Sequence, residues 1–288
     1  ALKLYKIDLF WSPDGICDLN AEIPQITTIH DLNFEYYPED SPKWVSWYYR
    51  RYYPQYARKA NQIITVSNYS KNDICNCYNI DQEKISVVYN GVSNEFGQIS
   101  NEEKAKYQTS YTKGKPYFIF VGSIHPRKNV NRLLEAYELF HKKNPEYQLL
   151  IVGSNMWRKQ SLKVPEAIEQ SVFFTGHVQM EILTKLMASA YALVYPPYFE
   201  GFGIPLVEAM KCGVPILSSD RTCLPEVAGN SALYFDPFDV VQMSRSMEEI
   251  TTKPSKREEL IEIGLKKARN YNWDQAASKT WEILREFL

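Results

Sequence analysis

Two periodicities alternate along the chain. Short runs of β-branched and aromatic residues are separated by longer stretches whose apolar positions recur every three or four residues. In the first ninety residues the runs 5–11 (YKIDLFW), 25–29 (QITTI), 62–66 (QIITV) and 85–89 (ISVVY) read as strands. The last three run out into polar residues, at His30-Asp31, Ser67 and Asn90-Gly91. Helices are expected over 41–59 and 68–78, with Ser67 or Ser70 as the N-cap of the second and Pro54 breaking the first. Short buried strands alternating with helices predict a parallel sheet with its chemistry at the strand C-termini.

Residues 92–114 are rich in Asn, Gln, Ser, Thr, Lys and Glu and read as a linker. Beyond them the alternation becomes regular. Strands are expected at 117–121, 147–152, 171–175, 192–195, 214–218 and 233–235, with helices over 128–143, 179–190, 204 to about 211, and 273–287. Such alternation predicts right-handed βαβ units and an open α/β fold. The expected division is a partial N-terminal domain with linker over 1–112, a second domain over 113–270, and a C-terminal helix over 271–288.

Two segments carry candidate chemistry. Residues 198–213 (YFEGFGIPLVEAMKCG) follow a strand and hold a glycine turn and then a helix. Unpaired N–H groups and the helix dipole make such a start an anion site. Glu200 and Glu208 bracket it, and a carboxylate accepts paired hydrogen bonds from vicinal hydroxyls, so the pattern suits a ligand with sugar hydroxyls and a phosphate. The other segment is GSIHPRKN at 122–129. Gly122 lets a ligand approach the backbone, and Arg127 and Lys128, expected to open a helix, oppose its dipole unless an anion lies between them and the turn.

The block EGFGIPLVE followed by AMKCGVP resembles the E-x7-E signature of retaining glycosyltransferases of family four, group 1, and the similarity spans about residues 25 to 285. The resemblance implies a GT-B fold, two Rossmann-like doubly wound domains facing a cleft. Against that pattern the N-terminal domain looks incomplete: its first ninety residues hold one glycine, Gly15, and no glycine-rich turn precedes Tyr5. It also implies roles. Glu208 would hold the ribose hydroxyls. Glu200, with the backbone of Gly201, Phe202 and Gly203, would hold the sugar. Arg127, Lys128 and the free N–H groups from Gly203 through Ile204, Pro205 and Leu206 would hold the diphosphate, with Gly122 and Ser123 also binding the donor. His177 and Val178 would receive the base, and His30 would sit near the transferred sugar. Pro197 stands where the family often has serine.

Composition narrows this reading. A net charge of −1 over 288 residues provides no field to recruit nucleic acid. Five cysteines without a CxxC spacing predict free thiols in a reducing compartment, and no run approaches the length of a membrane span. No Asp-x-Asp motif is present, so metal independence is expected, with no cofactor beyond the donor substrate.

The implied activity is transfer of a hexose from a nucleotide diphosphate sugar to a glycan or lipid-linked acceptor in polysaccharide biosynthesis, with the 122–129 segment leaning toward GDP-mannose. The alternatives are a non-catalytic nucleotide-sugar-binding or scaffold module, or another GT-B enzyme such as a phosphorylase or epimerase. A cytoplasmic protein is expected. Residues 44–60 (WVSWYYRRYYPQYARKA) fit two readings: a helix packing its aromatics on the sheet, or a surface making peripheral contact with the inner membrane face.

Overall fold

The computed structural model describes residues 5–154 and 162–288. They form two units: residues 1–91, 200–202 and 272–288, and residues 92–199 and 203–271.

The first unit is built on four parallel strands in the order β1 (Phe10–Ser12), β2 (Gln25–Thr28), β3 (Gln62–Thr65) and β4 (Ile85–Val87). Between β2 and β3 lie α1 (Asn33–Tyr36) and α2 (Lys43–Lys59), and α3 (Asn68–Tyr78) joins β3 to β4. Ser67 is the N-cap of α3, accepting the Ser70 N–H at 3.0 Å. One sheet face buries Ile63 with Phe34, Tyr53, Tyr56 and Ala57 from the helices. Helix α2 runs straight through Pro54, contrary to the expected break. Proline in a helix interior costs about 3 kcal/mol, and here Tyr53 and Tyr56, buried on either side of it, offset the loss.

The expected linker is largely helical. It contains α4 (Asn101–Thr112), capped by Ser100, whose hydroxyl accepts the Glu103 N–H at 3.2 Å. Lys185 ties α4 down through Glu103 at 2.9 Å. Then follow β5 (Tyr117–Val121), α5 (Val130–His141), β6 (Gln148–Val152), β7 (Val172–Gly176), α6 (Met180–Ser189), β8 (Ala192–Tyr195), α7 (Ile204–Cys212), β9 (Ile216–Ser219), α8 (Leu224–Ala228), β10 (Ala232–Phe235), α9 (Val240–Thr252) and α10 (Pro254–Ala268). All six strands are parallel, in the order β10-β9-β8-β5-β6-β7. The sheet therefore starts at β5 in its middle, grows one way through β6 and β7, and returns to the other side of β5 with β8.

Helix α11 (Trp273–Arg285) completes the first unit. It lays Ala276 and Leu284 over Ile26, Ile64 and Val88, the face of the first sheet that α2 and α3 leave open.

Candidate functional site

In an open parallel sheet, ligands bind beyond the strand C-termini where the strand order reverses, because the helices leave in opposite directions there and open a crevice. In the second unit that place lies between β5 and β8. The loops at this end pack backbone to backbone. Gly122 N–H donates to Val152 O at 3.0 Å, and Gly153 N–H donates to Gly176 O at 2.9 Å. A Cβ on Gly153, whose φ is +138°, would lie 2.0 Å from the Gly122 carbonyl oxygen, so this approach needs glycine.

Beyond Gly122 the chain forms a single 3-10 turn, Pro126–Lys128, with the His125 ring accepting the Arg127 N–H at 3.3 Å. Arg127 and Lys128 thus precede helix α5 instead of opening it. Asn129, at φ +61°, turns the chain before α5 begins, so the two cations do not stack on the helix axis against its dipole. Asn129 fixes the turn by donating to Pro196 O at 3.1 Å and Pro237 O at 2.7 Å. The Arg127 guanidinium donates to Phe199 O at 3.1 Å, and the Arg127 carbonyl accepts the Tyr198 N–H at 3.1 Å. Lys128 is 9% exposed. Its ammonium donates to the Tyr195 hydroxyl at 2.8 Å and lies 5.2 Å from that ring's centroid. The hydroxyl and the ring face hold the ammonium at the end of β8.

Strand β8 leads through buried Pro196 and Pro197 to Gly203, the N-cap of α7. The expected set of free N–H groups is smaller than the sequence reading assumed. Pro205 has none, and the Leu206 N–H donates to Gly203 O at 3.0 Å. Gly203 and Ile204 stand at the open N-terminal end of the helix. On the same helix Glu208 is 8% exposed and meets no hydrogen-bond partner among the described residues. Burial pushes its carboxyl up to about 7. At the end of β7, His177 is exposed and Val178 half-buried, after Gly176.

His30, Glu200, Gly201 and Phe202 belong to the first unit. His30 follows β2 and lies on the surface, with Nε2 3.0 Å from Pro13 O. Its carbonyl accepts the Ser70 hydroxyl at 3.1 Å. A Cβ on Gly201 would lie 2.2 Å from the His30 carbonyl oxygen, so these two backbones are in direct contact. Glu200 is buried, and the Phe202 ring meets Tyr89 at 6.1 Å between centroids. Asp31 caps the next segment, accepting the Asn33 N–H at 3.0 Å.

Sequence reasoning missed three residues of this arrangement: Tyr195, Asn129 and Gly153. Each stands at a strand end or turn, and that position was their only signal. Among the described residues no helix is long and apolar enough to cross a membrane, and all five cysteines are free.

Residues 101–267 match the family described as glycosyl transferases group 1, and residues 1–96 match glycosyltransferase family 4. The chain is 31% identical over 290 residues to the O-antigen chain mannosyltransferase B of Escherichia coli, covering 97% of this chain and 74% of that protein. It is 33% identical over 260 residues to the O-antigen chain mannosyltransferase RfbU of Salmonella typhimurium, covering 88% and 69% respectively. Its fold is similar to that of Anabaena HepE, solved in complex with UDP and glucose, with a TM-score of 0.84 at 19% identity over 98% of this chain and 79% of that one.

Proposed function

The chain belongs to the group 1 glycosyl transferases of family four and has the GT-B fold, and from that premise we propose that it moves a hexose from a nucleotide diphosphate sugar to a glycan or lipid-linked acceptor. We infer that the donor is GDP-mannose, that the anomeric configuration is retained and that no metal takes part. The O-antigen mannosyltransferases among its relatives support mannose.

The observation that carries the reading is Glu208. A carboxylate buried without a protein partner is unfavourable, and two vicinal hydroxyls supply the donors it lacks. In this assignment Glu208 holds the ribose, and His177 and Val178 border the base. Gly122, Ser123, Arg127, Lys128 and the N–H groups of Gly203 and Ile204 surround the diphosphate. Glu200, Gly201 and Phe202 hold the sugar, and His30 belongs beside it. The bond from the anomeric carbon to the diphosphate oxygen breaks. The acceptor oxygen bonds to that carbon on the same face, and the acceptor's proton passes to the departing phosphate. Cations and N–H groups placed where negative charge grows lower the barrier, and losing one such donor typically costs ~10²–10³ in rate.

Calorimetric titration of the chain with UDP-, GDP-, ADP- and dTDP-sugars tests this. Binding of GDP-mannose alone, abolished in Glu208→Ala, supports it. Preference for another base or sugar corrects the donor, and a folded chain that binds none refutes the assignment.

A further inference from the structure

The Phe238 ring stands in the loop between β10 and α9 and is 46% exposed, so it adds little to the core of the second unit. Its neighbours are nevertheless closely ordered. It lies nearly parallel to the Tyr198 ring, with centroids 5.8 Å apart and planes inclined by 21°. The Arg132 guanidinium sits 5.0 Å from its centroid and the Arg221 guanidinium 6.0 Å. Each guanidinium is itself tied. Arg132 donates to the Asn129 side-chain oxygen at 2.9 Å. Arg221 donates to Asp236 at 2.7 Å and pairs with Asp220 at 3.1 Å. The loop backbone is fixed as well: Asp236 accepts the Phe238 N–H at 2.9 Å, and Asn129 donates to the Pro237 carbonyl.

These contacts close a circuit around Arg127. The Tyr198 N–H donates to the Arg127 carbonyl, and the next residue, Phe199, supplies the carbonyl that receives the Arg127 guanidinium. The chain at 198–199 thus grips Arg127 by both its backbone and its side chain. Phe238 grips that chain in turn through the Tyr198 ring. The bond from Arg132 to Asn129 returns the circuit to the turn that carries Arg127. A long side chain loses rotamer freedom when a ligand fixes it, so an arginine fixed beforehand binds an anion more tightly.

We propose that Phe238 is a positioning residue for Arg127: its ring, stacked on Tyr198, holds the 198–199 backbone that fixes the guanidinium assigned to the donor diphosphate. This role depends on that assignment of Arg127 and adds what keeps the arginine in place. A ring that only stabilised its own loop would change the melting temperature and leave nucleotide affinity alone.

The test is a double-mutant cycle on the full chain, read by calorimetric titration with GDP and with UDP, the tighter of the two serving as probe. Arg127→Ala should weaken binding at least about tenfold, the loss of a charge-assisted hydrogen bond. Phe238→Ala should weaken it about fivefold, from the lost stacking and cation–π contacts, and by less than about twofold once Arg127 is already alanine. Phe238→Tyr keeps the ring and should bind within about twofold of the unaltered chain. Leu139→Ala, at an exposed apolar position on α5, should leave binding unchanged. Circular dichroism verifies that each variant folds. Equal losses in both backgrounds, or no loss for Phe238→Ala, overturn the proposal and leave the donor assignment standing. A folded chain that binds neither nucleotide removes that assignment, and this proposal with it.

Discussion

The Lys128 ammonium donates to the Tyr195 hydroxyl at 2.8 Å, joining the turn after β5 to the end of β8 across the point where the strand order reverses. Lys128→Met should lower the transfer rate by ~10²–10³, the usual loss for one charge-stabilising donor. Tyr195→Phe keeps the ring under the cation and removes the hydroxyl that accepts from it, so about a tenfold loss is expected. Single-turnover transfer from GDP-mannose, with circular dichroism to verify folding, separates the two.

Glu208 makes donor binding depend on pH. Its carboxyl is raised by burial from 4.5 to about 7, and hydroxyl donors favour the ionised form. Affinity should therefore increase from about pH 6 to about pH 8, with a proton released on binding. Calorimetry in buffers of different ionisation enthalpy reads that proton directly, and Glu208→Gln should abolish the dependence. Without donor the sign is opposite. A carboxyl whose folded pKa is raised contributes stability below 4.5 that is lost as pH rises through about 7. The melting temperature should fall over that window relative to Glu208→Gln.

Gly153 and Gly201 are sites of backbone contact. A methyl on Gly153 meets Gly122 O at 2.0 Å, and one on Gly201 meets His30 O at 2.2 Å, whereas one on Gly97 meets nothing within 4 Å. Alanine at either of the first two positions should cost more than about 1 kcal/mol in stability. Gly97→Ala should stay within about 0.5 kcal/mol. Urea denaturation of the three variants decides.

Pro54 interrupts the hydrogen-bond ladder of α2 without ending it. Pro54→Ala restores one N–H and removes a ring from the helix interior. A gain of up to about 3 kcal/mol is expected from the helix propensities. An unchanged or lowered melting temperature would show that the ring is packed to advantage in the groove it lines.

Much of this was legible in the sequence. Strands 117–121 and 192–195 and helix 68–78 have the predicted bounds, because strong apolar runs there end at glycine, proline or a capping serine. Helix α4 was hidden because Ala105, Tyr107 and Tyr111 give it only a weak apolar stripe. Helices α9 and α10 lie outside the sequence expectation. The continuity of α2 through Pro54 depends on tyrosines buried against the sheet, which local propensity does not record. Within the site, the glutamates and the Arg127-Lys128 pair were visible as residue types in a turn. The anchoring by Tyr195 and Asn129 was not, since strand order decides which loops become neighbours and a single sequence does not state it.

Helix α11 has a consequence for the order in which the protein is made. The ribosome completes β1 to β4 before β5, yet Ile26, Ile64 and Val88 lack the contacts of Ala276 and Leu284 until residues 273–285 emerge. By then every strand of the second sheet already exists. The unit that holds β1 to β4 is therefore finished after the other, and until then part of this apolar cluster lacks its helix. A nascent chain halted near residue 271 should hold a folded second unit and a first unit that attracts chaperones.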